Sequence, residues 1–122
     1  MIWIKLGSFL GLLVVILGAF GAHTFKNILT SNGNIDIYNK AVLYHMFHTL
    51  IIIIIGLIEL ILNKTLLFTG LYFTIGIIIF SGSLYILSIT NIKLLGAITP
   101  IGGIFFILGW LSLLYSMYKN VI

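Results

Sequence analysis

Six lysines, at positions 5, 26, 40, 64, 93 and 119, bracket four runs that carry almost nothing water would hold. Residues 6–25 make a run of 20, 41–63 a run of 23, 65–92 a run of 28 and 94–118 a run of 25. A helix rises about 1.5 Å per residue and the hydrocarbon of a bilayer is about 30 Å thick, so ~20 apolar residues cross it once. Each run is long enough to cross once and too short to cross twice. This predicts four transmembrane helices, over about 4–23, 38–62, 66–89 and 98–118. The runs are continuous, without the apolar–polar alternation of a membrane β-barrel.

Composition says the same thing from the other side. Only 7% of residues are charged, against 61% hydrophobic, where a soluble domain carries about 25% charged residues. So few charges cannot clothe a globule in water. The lysines are dispersed, which speaks against a nucleic-acid footprint. There is no cysteine, so disulfides, thiol catalysis and cysteine-ligated clusters are excluded. The first run also has features of a secretory signal: Lys5 precedes it, and Ala19-Phe20-Gly21 resembles a cleavage site. Its apolar stretch exceeds the usual 7–15 residues of a signal peptide, and it reads as a retained span.

The connections are short, as between antiparallel neighbours. The longest, TFKNILTSNGNIDI (24–37), has Phe25, Ile28 and Leu29 at helical spacing, then a Ser31-Asn32-Gly33-Asn34 turn. Asp36 is the expected cap of the second span and Thr99 that of the fourth, with Pro100 at its first position. Leu94–Ile98 is either an early helical turn or a segment buried against protein. Lys5, Lys64 and Lys119 share one membrane face, and Lys26, Lys40 and Lys93 the other. Three against three leaves the positive-inside rule without a preference.

Each span carries one face of small or polar residues on a wall of Ile, Leu and Phe. Gly11, Gly18, Gly21, Gly82, Gly102, Gly103 and Gly109 are the expected packing positions, with Gly7, Gly56 and Gly70 on the same stripes. The expected fold is all-α: an integral membrane four-helix bundle, antiparallel and up-down, with residues 1–122 as a single transmembrane domain.

Ordered by depth, GAFGAH (18–23), YHMFH (44–48), FSGSLY (80–85) and TPIGG (99–103) share one leaflet, and the other leaflet is nearly featureless except for Glu59. His23, His45 and His48 are the candidate metal ligands, since imidazole is a common transition-metal ligand and i, i+3 places two on neighbouring parts of one helix face. The structural alternative is a polar cluster of Tyr44, His48, Ser81, Tyr85, Thr99 and Pro100 that ties helices together. In that reading His48 faces inward, joining span two to the ends of spans one and three, and His45 lies nearer the rim. Glu59 is expected to reach the interface and meet Lys64. Ser81 and Ser83 lack a nucleophile elbow, an oxyanion-hole signature or paired carboxylates, so no enzyme is expected.

GAFGAH, YHMFH and FSGSLYILSITNIKLLGAITPIGGIFFILGW, in that order over roughly 18–110, resemble the domain of unknown function 423 family of small bacterial membrane proteins, to which the eukaryotic transmembrane protein 256 is similar. Where that pattern has Tyr-Gln-Met-Tyr-His, this chain has Tyr-His-Met-Phe-His: His48 and His23 match and His45 departs. The resemblance implies four spans and no established activity; some relatives are linked to keeping the bacterial membrane intact. The expected role is a non-enzymatic membrane-stabilising protein or accessory subunit. Its partners would be membrane lipid and a larger membrane complex or a second copy. It would sit in a bacterial plasma membrane, or an organellar inner membrane in a eukaryote. The competing expectation is a small carrier or metal- or haem-binder using the histidines; no cofactor is assigned.

Overall fold

In the computed structural model, which describes residues 1–121, the chain is helical almost throughout. Helix α1 is Ile2–Ala22, α2 is Lys26–Asn32 and α3 is Ile35–Leu62. The third span is built in pieces: α4 (Leu67–Gly76), a π-helical turn (Ile77–Ser81) and α5 (Gly82–Thr90). A 3₁₀ turn over Lys93–Ala97 leads into α6 (Thr99–Val121). The four expected spans are present, running 2–22, 35–62, 67–90 and 93–120. The protein is an all-α bundle of membrane-spanning helices.

Three helix ends turn in the left-handed conformation, at Gly33 (φ 69°), Asn63 (φ 51°) and Asn91 (φ 59°). Asparagine tolerates that backbone better than most residues with a Cβ, because its short amide finds local partners. The helical spacing read in 24–37 becomes α2, with Leu29 buried beneath it. Asp36 does not cap α3: the helix begins at Ile35, and Asp36 sits exposed in its first turn. Thr99 is likewise no cap. Its hydroxyl meets Ser83 Oγ at 2.6 Å and donates to the Leu95 carbonyl at 3.3 Å. Of the two readings of Leu94–Ile98, the helical turn is the one found, and Leu94 and Ile98 are exposed.

Packing follows chain order. Helix α1 lies on α3, α3 lies on the segmented third span, and that span lies on α6. The closest approaches occur where side chains vanish. A Cβ on Gly56 would lie 3.0 Å from the Ile4 backbone nitrogen, and one on Gly102 only 2.7 Å from Phe80 Cα. Gly21 lies under the Tyr38 ring and Gly109 under Phe73, whereas Gly11, Gly18 and Gly103 make looser contacts of 3.7–3.9 Å. Gly82 is a correction: nothing lies within 4 Å of a Cβ there, so it is not a packing glycine. Gly76, absent from the expected set, seats the Phe106 ring.

Two buried clusters result. Leu29, Tyr38, Ala41, Leu84 and Tyr85 fill the half nearer α2. Trp3, Ile52, Ile55, Phe73, Ile77 and Phe106 are the core of the rest. The π turn lies between them. One extra residue in the turn rotates everything downstream about the helix axis, so the third span meets α6 with Phe73 and Gly76 and meets α3 with Ser81 and Tyr85.

Candidate functional site

His48 lies 13 residues from the start of α3 and 14 from its end. At about 1.5 Å per residue that is roughly 20 Å from either terminus, the middle of the membrane rather than one leaflet. Its ring is 4% exposed. It stacks on Phe106 of α6 with centroids 3.7 Å apart and planes at 7°, and Phe73 and Trp110 close around it at 5.6 and 6.1 Å.

Both ring nitrogens of His48 are engaged. Trp110 Nε1–H donates to Nε2 at 3.3 Å, and Nδ1 meets the Tyr44 carbonyl at 2.9 Å. An indole nitrogen only donates and a carbonyl only accepts. The two bonds therefore select one neutral tautomer, protonated at Nδ1, and leave no lone pair for a metal or a substrate proton. His48 faces inward, as expected, but its partners are on α6 and not on the ends of spans one and three.

His45 corrects a second expectation. It is not at the rim: it is 3% exposed, and its Nδ1 meets the Tyr85 hydroxyl at 2.9 Å, joining α3 to α5. Its Nε2 and, one turn on, Thr49 Oγ1 are buried without a hydrogen-bond partner, where α3 passes Gly11 of α1. His23, at the end of α1, is exposed. The three imidazoles thus enter three environments. Among the described residues no three His, Cys, Asp or Glu side chains gather as a metal site, so His23, His45 and His48 do not form the shared centre considered from the sequence.

The expected polar cluster also divides. Ser81 Oγ donates to the Ala41 carbonyl at 2.8 Å, stitching the π turn to α3. Tyr85 serves His45, and Thr99 serves Ser83. Tyr44 contributes its carbonyl to His48 and its ring to Phe80, 4.5 Å away, rather than a hydroxyl to a network. Pro100 is exposed and joins no cluster. Helices α3 and α6 do not close on one another here. A groove of about 570 Å³ separates them, walled by Tyr44, Phe47, Phe80, Phe106 and Trp110, with His48 in the wall. Its lining is otherwise apolar, and Leu43 and Ile107 at its lip face the bilayer.

The leaflet read as featureless is the more tightly tied end. Glu59 does not go to Lys64. Its Oε1 accepts Trp3 Nε1–H at 3.1 Å and the Leu66 backbone N–H at 2.6 Å, pinning the start of α1, the end of α3 and the start of α4 together. Lys64 donates instead to Asn120 Oδ1 at 2.6 Å, and Thr69 and Ser112 share a 2.6 Å hydroxyl bond between α4 and α6. At the opposite end Asn34, 7% exposed, donates its amide to the Ser88 carbonyl (3.2 Å) and Asn91 Oδ1 (3.1 Å), and Asn32 donates to Ile89 (3.1 Å). Both asparagines, and Phe106 and Trp110, were missed from the sequence. The aromatics carried a signal, since they lie four apart on one face of span four; the asparagines read only as a turn.

Residues 17–103 match the family model described as "Protein of unknown function (DUF423)". The chain belongs to the DUF423 family. It is 45% identical over 120 residues to a UPF0382 membrane protein of Staphylococcus haemolyticus, covering 98% of each chain. To UPF0382 membrane protein YwdK of Bacillus subtilis it is 38% identical, covering 97% of each. A relative from Staphylococcus saprophyticus is 42% identical over 118 residues, covering 97% of this chain and 98% of that one. No solved structure matches. The motifs that resembled this family in the sequence lie within the match, and with four spans in bacterial relatives named as membrane proteins, this DUF423 chain is an integral protein of the bacterial plasma membrane.

Proposed function

We propose that the protein is a non-enzymatic membrane-stabilising component that holds a lipid acyl chain in the α3–α6 groove. One observation carries the reading: a mid-membrane groove of about 570 Å³ whose wall histidine has both nitrogens engaged. An ionisable side chain at this depth is ordinarily a functional suspect. Here the imidazole serves as one more flat ring in an aromatic wall and as the hydrogen-bond partner that fixes Trp110. The other candidates for chemistry are occupied in the same way, Ser81 by Ala41 and Ser83 by Phe80 and Thr99. At that depth the medium against the lip is hydrocarbon, and an acyl chain fills a long aromatic furrow better than bulk lipid packs across it.

The test uses vesicles reconstituted with the full chain and a phospholipid carrying a photoactivatable group at mid-chain. Cross-links should concentrate on peptides holding Phe47–His48 and Phe106–Trp110, above lipid-facing controls such as Val15 and Leu114. Gly103 lines the groove, and a Cβ there meets only the Phe80 ring at 3.9 Å. Gly103→Leu should therefore fill the groove, remove that excess and leave the vesicles leakier to dye than wild-type protein does. Labelling that simply tracks exposure, or that captures another protein in native membranes, would refute the acyl-chain reading.

A further inference from the structure

The strongest unassigned feature is at the Glu59 end. A pocket of about 690 Å³ opens between the α3–α4 connection, the N-terminus of α1 and the last turns of α6. That size lies within the range of about 300–1,000 Å³ typical of small-ligand sites. Its depth is that of lipid headgroups, because it is bounded by the ends of the spans.

Its charge is what makes it informative. Lys64 and Lys119 come to it from different spans, and Met1 lines it as well. The carboxylate in the same wall belongs to Glu59, whose Oε1 is turned to Trp3 Nε1 and Leu66 N. Lys64 is held in place by a neutral group, the Asn120 side-chain oxygen, and Asn120 is itself anchored through Nδ2 to the Ser116 carbonyl at 2.8 Å. An amide orients an ammonium without cancelling its charge, as an ion pair would. Asn63, Thr65 and Ser116 add uncharged polar groups around the same space. Two convergent cations with adjacent hydroxyl and amide groups suit a phosphodiester, and at this depth the phosphodiester available is a lipid's.

From this convergence of Lys64 and Lys119 on one polar pocket we infer that the protein binds the phosphate headgroup of an anionic phospholipid there. The site is separate from the α3–α6 groove, and either can fail without the other.

The test places the full chain in nanodiscs of phosphatidylglycerol and phosphatidylcholine in equal parts. It then strips annular lipid with mild detergent and counts retained lipid by native mass spectrometry. Wild-type protein should retain phosphatidylglycerol preferentially. The double variant Lys64→Gln/Lys119→Gln should cut that preference at least tenfold. Lys26→Gln/Lys93→Gln, at the opposite membrane face, should leave it unchanged. Melting temperatures within a few degrees of wild type would show that the variants are folded. The inference is overturned by equal retention of the two lipids, by an unaltered preference in the Lys64/Lys119 variant, by an equal loss in the Lys26/Lys93 variant, or by full competition from millimolar inorganic phosphate, which would make it a free-anion site.

Discussion

The two ends of the molecule solve one problem with opposite chemistry. At the α2 end, Asn34 and Asn32 aim amide donors at the last carbonyls of α5. At the other, Glu59 aims a carboxylate at the backbone N–H of Leu66, where α4 begins. A helix finishes with unpaired carbonyls and starts with unpaired N–H groups. The side chain that ties down a C-terminus must donate, and the one that ties down an N-terminus must accept. The difference also follows the macrodipole, which favours negative charge at a helix start. Loops in this protein are therefore not slack connections between greasy rods. Each end has a polar clasp whose chemical sense is set by the helix terminus it meets.

That comparison can be broken by exchanging the chemistry. Glu59→Ala removes the acceptor for two donors at once, Trp3 Nε1 and Leu66 N. It should cost the most, about 2–4 kcal/mol at roughly 1–3 kcal/mol per stranded group. Glu59→Gln keeps an acceptor oxygen and should cost less than half of that. Reversible unfolding in mixed micelles, titrated with a denaturing detergent, would read both, and equal losses for Ala and Gln would show that the clasp matters only by its size.

At the other end, Asn34→Asp sets an acceptor against the Ser88 carbonyl and Asn91 Oδ1. It should destabilise by about 2 kcal/mol, more than the roughly 1 kcal/mol expected of Asn34→Ala, because Asp adds repulsion to the lost bonds. The same unfolding measurement decides this, and Asp proving milder than Ala would contradict the donor requirement.

Between the ends lies a pair of glycines that should respond in opposite directions. Gly102→Ala drives a methyl into the Phe80 backbone and should cost about 1–3 kcal/mol, the usual range for overpacking. Gly82→Ala meets nothing within 4 Å, and should be neutral or stabilise by at most about 1 kcal/mol through helix propensity. Melting temperatures of the two variants in one detergent provide the check.

The histidines show where reading a membrane sequence stops. His45 and His48 differ by three positions, and both faces of α3 near them are rich in Leu, Ile and Phe. In water, the polar side of a helix points out and betrays the buried side. In lipid both sides are apolar, so position along the sequence carries no comparable signal. His45 was placed at the rim and is buried against Tyr85; His48 was assigned to spans one and three and stacks on α6. The π turn compounds the loss, since nothing in IIIFS announces an extra residue in the turn, yet it decides whether Phe80 or Ser81 faces a given neighbour. Depth was misjudged for a simpler reason. Helix α3 starts earlier than expected and runs 28 residues, which moves His48 from one leaflet to the midplane.

The sequence by itself determined the number of spans, their connections and the membrane as solvent. Those follow from how far apart the lysines stand and how few charges there are, quantities that need no partner to be defined. Tertiary structure alone decided that Glu59 and Asn34 are clasps, that His48 belongs to an aromatic wall with Trp110, and that Lys64 and Lys119 meet at one pocket. Each of those is a relation between residues about 55 to 60 apart in the chain, set by which helix lies beside which and by the rotation of its faces, and one-dimensional spacing does not encode either.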